Sequence, residues 1–490
     1  MSSLRFFNTL TGAVDEFEPS APDGIVGFYA CGPTVYDFAH IGNFRSFVFE
    51  DLLRRVLEVH GFRVKHVMNL TDVDDKTIAG AARENKPLEE YTARFIEAFN
   101  QDLGTLNCLL PHEQPRATRK IPLMLDLIAR LIDRGMAYES GGSVYYRVAK
   151  FSDYGKLSKK KIEGNLAGAS ERVDADEYES KEQVSDFVLW KAAKEGEPFW
   201  PSPWGNGRPG WHIECSAMSM EGLGPTFDIH AGGEDLIFPH HENEIAQSEG
   251  ATGLPFVKYW LHCKFLLVDG EKMSKSKGNF YTLRDLLAKG YDPMAIRCAL
   301  LSTHYRAPLN FTLEGLKDAG EFIRKLDEAF WLCVSRCSNS EGRDDESAKD
   351  PLSAELSRIA AEIRAALGQD LNASAALALL LEGVKSINKT LGTDSNAPFS
   401  RKDVFQFFDE ADAVFGFAVA ADKQIPAEVS LLMRERDDVR RQVAADKKNQ
   451  SLWQKSDELR RGIQAMGWMV KDGKPGEPSV LKRKRRAWDV

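Results

Sequence analysis

Residues 25–43 constrain this chain more than any other stretch. They run Ile-Val-Gly-Phe-Tyr-Ala, then Cys31-Gly32-Pro33, and close on His40-Ile41-Gly42-Asn43. The short apolar run at 25–30, ended by Gly32 and Pro33, predicts a buried strand. Residues 43–57 predict a helix, with Phe49, Leu52, Leu53 and Val56 spaced to form one buried face. The stretch is therefore strand, tight turn and helix, with a cysteine at the strand end and a histidine at the helix start. In open parallel sheets, ligands sit at the carboxyl ends of strands. A helix N-terminus offers free N–H groups to phosphate. His40 is thus a candidate donor to a phosphoryl oxygen, and Gly42 lets a flat ring approach the backbone. A buried strand cysteine beside a helix-start histidine that holds no ligand fits the local pattern equally well.

The flanking chain extends this unit. Residues 64–70 predict a second strand, followed by Thr71-Asp72-Val73-Asp74-Asp75-Lys76. That acidic cluster suits Mg²⁺ or a ribose, or simply caps a helix and turns the chain. Helices are predicted at 87–103 and 119–134. Strand, crossover helix and parallel strand give an α/β class with a doubly wound sheet. From 113 to 207 the character changes: a strand at 143–148, the lysines at 159–161 and a polar run to 185 read as an inserted module. The Pro-, Gly- and Trp-rich residues 201–211 suit a pocket wall or a packed turn. A helix opens at His212, a strand covers 227–230, and Phe238 to Gln247 predict a helix with Pro239 near its start. His240 and Glu244 lie four apart on one face, which is half of a zinc site or a structural pair. Cys31 and Cys215 would complete four ligands, but spacing does not show that they converge.

Residues 258–268 look strand-like. After the turn at Asp269-Gly270, Glu271-Lys272-Met273-Ser274-Lys275-Ser276-Lys277-Gly278 suits a phosphate clamp, because lysines are point charges with rotatable donors. An exposed polar loop is the plainer reading. From 283 the chain predicts helices almost to its end. Two of them, within 426–466, carry Arg434, Arg436, Arg440 and Arg441, suited to gripping RNA or to charged packing.

Length and charge narrow the class. A chain of 490 residues points to about three domains. The net charge of −9 argues against indiscriminate nucleic-acid binding but allows a local basic face. Seven cysteines, an odd number, fit a reducing compartment. No apolar run approaches the ~20 residues of a membrane helix, and the N-terminus has no secretory pattern. A cytoplasmic location and no membrane partner are expected.

The quoted motifs together resemble one family closely, the cysteinyl-tRNA synthetases of class I. The carriers are Cys31-Gly-Pro-Thr-Val-Tyr-Asp37, His40-Ile-Gly-Asn43, Asn69-Leu-Thr-Asp-Val-Asp-Asp75, Gly210-Trp-His-Ile-Glu-Cys-Ser216, Phe238-Pro-His-His-Glu-Asn-Glu244 and Lys272-Met-Ser-Lys-Ser276. They occur in the family's order over roughly residues 20 to 320, and the likeness thins beyond. The resemblance implies a Rossmann-type parallel-sheet catalytic domain with an insertion, followed by α-helical domains. Its segments would be 1–112 and 208–262 for the catalytic halves, 113–207 for the connective insertion and 263–320 for a stem-contact region. A helical bundle at 321–400 and an anticodon-binding domain at 401–490 would follow.

The resemblance also implies one zinc ion on Cys31, Cys215, His240 and Glu244, and ATP bound with Mg²⁺ by His40, Gly42, Asn43, Lys272, Met273, Ser274, Lys275 and Ser276. His40, Lys272 and Lys275 would be catalytic, with Gly32, Thr71 and Trp211 around the amino acid. Partners would be L-cysteine, ATP and tRNA(Cys), acting on a monomer. Many class I enzymes have His where this signature ends in Asn43. A ligase that passes the same adenylate to an amino sugar shares the catalytic signatures. The about 170 residues beyond 320 favour the synthetase.

Overall fold

The computed structural model describes residues 4–20, 24–160, 181–339, 350–393, 399–419, 426–446, 448–466, 468–472 and 479–483. The chain forms two compact units. The first is Met1–Leu283 with Thr303–Phe311 and Gly368–Leu371; the second is Arg284–Ser302, Thr312–Leu367 and Asn372–Val490.

The first unit opens on an antiparallel hairpin, β1 (Arg5–Asn8) and β2 (Ala13–Glu16). The apolar run becomes β3 (Ile25–Ala30), and α1 (Ile41–Val59) crosses to β4 (Arg63–Met68). α1 buries Phe44, Val48, Phe49, Leu52, Leu53 and Val56. α2 (Asp75–Glu84), α3 (Leu88–Thr105) and α4 (Ile121–Asp133) follow. β5 (Ala137–Ser140), β6 (Ser143–Tyr146), β7 (Phe187–Ala192) and β8 (Gly207–Pro209) then make a separate antiparallel sheet. The chain returns through α5 (Trp211–Leu223), β9 (Phe227–Gly233), α6 (Glu242–Thr252) and β10 (Val257–Cys263).

The central sheet has the order β10-β9-β3-β4, all parallel. β3 pairs with β4 on one side and with β9 on the other, Tyr29 lying opposite both Val67 and His230. The chain leaves β3 in one direction and comes back on the other side, so a crevice opens beyond the carboxyl ends of β3 and β9. Near-continuous apolar sequence in β3 fits a strand covered on both faces. A smaller sheet, β11 (Leu266–Val268), β12 (Glu271–Lys272) and β13 (Leu309–Phe311), carries the lysine-rich loop.

Two local expectations change. Regular helix begins at Glu242, later than predicted, because Phe238 is extended (φ −140°, ψ 130°) and residues 237–241 form one widened turn. The strand-like run at 258–268 breaks in two. Lys264 donates its N–H to the Tyr305 carbonyl at 2.7 Å and Phe265 to the Glu234 carboxylate at 3.2 Å, so both leave the parallel sheet.

The second unit is helical. It holds most of α7 (Leu283–Ala288), then α8 (Pro293–Leu301), α9 (Leu313–Asn339), most of α10 (Pro351–Gly368), and α11 (Ala373–Thr393) and α12 (Arg401–Phe415). α13 (Ala427–Ala445) and α14 (Gln450–Ala465) pack as a pair beside the hairpin β14 (Trp468–Lys471) and β15 (Val480–Arg483). Phe330, Phe405 and Phe408 centre its core, and Trp331 meets Trp468 edge-on at 4.8 Å. Arg436 is buried and donates to Asp472 at 2.7 Å, so it serves packing. Most of the polar run expected up to 185 lies outside the described residues, as do residues 340–349, 394–398, 473–478 and 484–490.

Candidate active site and metal centre

Four side chains from distant parts of the sequence meet at the crevice. Cys31 follows the last residue of β3, Cys215 lies in α5, His240 in the turn before α6 and Glu244 in the first turn of α6. One donor atom from each lies within 4.8 Å of the others, and all four side chains are buried. Cys31 Sγ and Cys215 Sγ are 3.9 Å apart, Cys31 Sγ and Glu244 Oε1 3.8 Å, and His240 Nε2 and Glu244 Oε1 3.0 Å. With bonds of ~2.3 Å to sulfur and ~2.0–2.2 Å to nitrogen or oxygen, a tetrahedral zinc has donor–donor edges of about 3.3–3.8 Å. The three separations given fall within a few tenths of an ångström of such edges.

Further histidines contact these four side chains. His240 Nδ1 lies 2.8 Å from His212 Nδ1, which leaves Nε2 facing the cluster. His230 Nε2 approaches Glu244 Oε2 at 3.0 Å. His241 Nε2 approaches Cys31 Sγ at 3.4 Å, while its Nδ1 meets His262 Nε2 at 2.8 Å. Cys31, His230, His241 and Glu244 therefore make an overlapping donor set that also lies within 4.8 Å. The first set has two cysteine sulfurs against one and so the softer donors.

Burial would lower the His240 imidazole, but Cys215 and Glu244 outweigh it and hold it at about 10. Burial would raise Glu244, yet His230 and His240 bring it to about 2. The bond from the Cys31 thiol, then His240, bring Cys215 to about 6 against the opposing effect of burial. Cys215 and Glu244 are thus held as thiolate and carboxylate, while burial, then the bond to Cys215, push the Cys31 thiol up. Burial and neighbouring imidazoles keep His241 and His262 neutral.

The candidate amino-acid positions flank this cluster. Thr71 accepts from Asn69 Nδ2 at 3.1 Å and donates to Glu214 Oε2 at 2.9 Å. Asn69 Oδ1 in turn accepts from the Gly32 N–H at 2.9 Å. A Cβ on residue 32 would stand 1.6 Å from the Asn69 carbonyl oxygen, so only glycine fits there. The Trp211 ring lies over His240, with centroids 4.1 Å apart. Asp72 accepts from Thr118 N and Oγ1, Asp74 caps α2, and Asp75 pairs with Arg208. The acidic cluster is thereby used for capping and for joining segments.

His40 caps α1. Its Nδ1 accepts the Asn43 N–H at 3.2 Å, and Asn43 Oδ1 accepts the His40 N–H at 3.1 Å. Asn43 thus locks the ring, and a neutral His40 carries its proton on Nε2. Burial, aided by Lys275, pushes the His40 imidazole down and keeps it neutral. The lysine-rich loop lies against this turn. The Ile41 N–H donates to the Tyr281 carbonyl at 3.0 Å. Lys272 is exposed on β12. Ser274 N–H donates to Asn279 Oδ1, and Ser274 and Ser276 share a hydroxyl bond, both at 2.8 Å.

The structure therefore brings the four candidate ligands together, and sets His40 and the loop at the same unit's helix start. Sequence reading missed His212, His230, His241 and His262 as partners of the cluster. The only local signal was a histidine inside each of two apolar strands, His230 and His262, where burial would otherwise be costly.

The family profile described as "tRNA synthetases class I (C) catalytic domain" matches residues 17–321. A protein of Solibacter usitatus named cysteine–tRNA ligase is 46% identical over 482 residues, covering 97% of this chain and 98% of that protein. The chain belongs to the cysteine–tRNA ligases of class I. A second such ligase, from Chlamydia muridarum, is also 46% identical, with 96% of this chain and 98% of the relative covered. Both ligases therefore match the helical second unit as well as the catalytic one. Among solved structures, a Mycobacterium tuberculosis methionyl-tRNA synthetase in complex with methionyl-adenylate shares the fold, at TM-score 0.57 and 15% identity. It covers 82% of this chain and is itself covered over 92%. A putative arginyl-tRNA synthetase from Campylobacter jejuni has TM-score 0.54 and 13% identity, covering 82% of this chain and 94% of its own. The α/β class read from sequence is the fold of the cysteine–tRNA ligase family's wider class.

Proposed function

We propose that this chain activates L-cysteine with ATP to cysteinyl-adenylate and pyrophosphate, then transfers cysteine to the 3′ end of tRNA(Cys). The observation that carries this reading is the convergence of Cys31, Cys215, His240 and Glu244 at the end of β3, in the unit that also carries His40. These four residues would hold zinc. A zinc ion held by them would supply a soft Lewis-acid site that favours the thiolate of cysteine over the hydroxyl of serine. No editing step is then needed for that discrimination.

The chain's own residues do the rest by position and charge. Thr71, Trp211 and the N–H-bearing turn at Gly32 shape the amino-acid pocket. Gly42 lets a flat ring approach the backbone. The His40 Nε2–H donates to an α-phosphoryl oxygen, and Lys272 and Lys275 neutralise the departing pyrophosphate. Mg²⁺ accompanies ATP through its phosphates. The segment from 263, with the helical unit, supplies tRNA contacts, 401–490 reading the anticodon. Among the described residues no helix is long and apolar enough to cross a membrane. A cytoplasmic monomer is the form we assign.

ATP–pyrophosphate exchange measured across the twenty amino acids, with metal analysis of the same sample, tests the reading. Exchange with cysteine alone and one zinc per chain is the expected result. Exchange driven equally by serine, or no charging when tRNA(Cys) is added, refutes it.

A further inference from the structure

The segment between the strand and the signature helix holds an ion pair that the reaction leaves unexplained. Asp37 Oδ2 lies 2.8 Å from Lys275 Nζ. Lys275 also lies over the Phe280 ring, 5.1 Å from its centroid. The adjoining Tyr36 ring faces the Lys76 ammonium at 4.7 Å. Residues 36 and 37 are thus gripped by cations from two sides. On the loop, the Met273 methyl fills the space above Gly42: a Cβ there would meet it at 2.5 Å. Both the flat-ring position and one phosphate lysine are therefore occupied by the chain itself.

We infer that Asp37 is a positioning residue that holds Lys275 in place of the triphosphate, so that ATP must take the lysine from it. Arg83 repels the Lys275 charge, and Asp37 is the carboxylate that offsets it. Without an anion there, the Lys275 ammonium would face Arg83 unopposed. Asp37 supplies that anion in the free enzyme; after adenylate formation it takes Lys275 back and lets pyrophosphate go. The inference rests on the ATP-dependent reading above.

The pair is solvent-exposed, the Lys275 side chain at 69% and Asp37 at 40%, so its effect is modest. An exposed pair contributes ~0.2–1 kcal/mol, which is up to about a 5-fold change in affinity. The test measures Mg²⁺–α,β-methylene-ATP binding directly and the KM and kcat of exchange. Asp37→Asn should tighten analogue binding about 2- to 5-fold and lower the KM for ATP, and Asp37→Glu should restore parent values. In a Lys275→Ala background, Asp37→Asn should change nothing. Raising salt should erase the difference. Weaker binding in Asp37→Asn, which a carboxylate serving Mg²⁺ would give, overturns the inference. So does an equal change with and without Lys275, or unchanged binding. If the parent enzyme neither binds the analogue nor exchanges pyrophosphate with any amino acid, the functional reading itself fails.

Discussion

Replacing Thr71 by valine removes one hydroxyl at nearly constant volume and strikes the centre of a buried chain of hydrogen bonds. The chain runs from the Gly32 N–H to Asn69, from Asn69 to Thr71, and from Thr71 to Glu214. Thr71, Asn69 and Glu214 are all buried, and Glu214 Oε1 already has no partner among the described residues. Valine leaves Asn69 Nδ2 without its acceptor and Glu214 without its donor. Each orphaned buried group costs about 1–3 kcal/mol, so the pair costs about 2–4 kcal/mol after partial relaxation. If the cost falls on the geometry that presents Gly32 and Asn69 to the amino acid, kcat/KM for cysteine drops about 30- to 1000-fold. Thr71→Ser keeps the hydroxyl and should lose less than about tenfold. The assay is cysteine-dependent ATP–pyrophosphate exchange, with urea unfolding run on the same variants. A Thr71→Val enzyme that keeps parental stability and parental kcat/KM refutes the network. Parental kcat/KM with lowered stability refutes only its link to cysteine.

Cys215→Ser should lower zinc content below one per chain, and should reduce cysteine activation far more than ATP affinity; metal analysis beside nucleotide titration checks this. His66 is buried against Phe28 with neither ring nitrogen partnered among the described residues, and burial, then Arg54, push it to about 3. The unfolded imidazole takes a proton below about 6.5 and the folded one only near 3, so stability is full above 6.5 and falls as pH drops through that window. At pH 5 the loss is about 2 kcal/mol, and His66→Phe should abolish that share of acid sensitivity in urea unfolding at pH 7.5 and 5. Asp370 accepts the Phe7 N–H at 2.8 Å and Arg306 Nε at 2.6 Å, and also the Tyr305 hydroxyl. Asp370→Ala should therefore destabilise the first unit by about 2–4 kcal/mol, chiefly by orphaning the Phe7 N–H and the Tyr305 hydroxyl, read as a lower unfolding midpoint; a change under about 1 kcal/mol would show these bonds to be dispensable.

Local pattern was a good guide wherever one face or one run decided the element. The apolar run at 25–30 and the face of α1 are examples, because burial on a fixed period leaves little choice. It failed at Phe238, where an extended residue delays α6, and at Lys264 and Phe265, whose bonds to Tyr305 and Glu234 end a strand that hydropathy would continue. The second failure depends on partners far along the chain, Tyr305 and Glu234. The acidic residues at 72–75 show the same limit: composition allowed a metal, while Thr118 and Arg208 take up two of the carboxylates and Asp74 caps α2.

The sequence by itself determined the strand–turn–helix at residues 25–57, the four candidate donors, and the loop lysines, because residue type and short-range spacing carry that information. Their meeting was decided by the parallel order of β3 and β9, which brings residues separated by 184 positions, Cys31 and Cys215, to 3.9 Å. The tertiary structure alone also supplied the histidines around them, the cap that fixes the His40 tautomer, and the carboxylate that holds Lys275. Each is a contact between segments whose spacing in sequence says nothing about their distance in space.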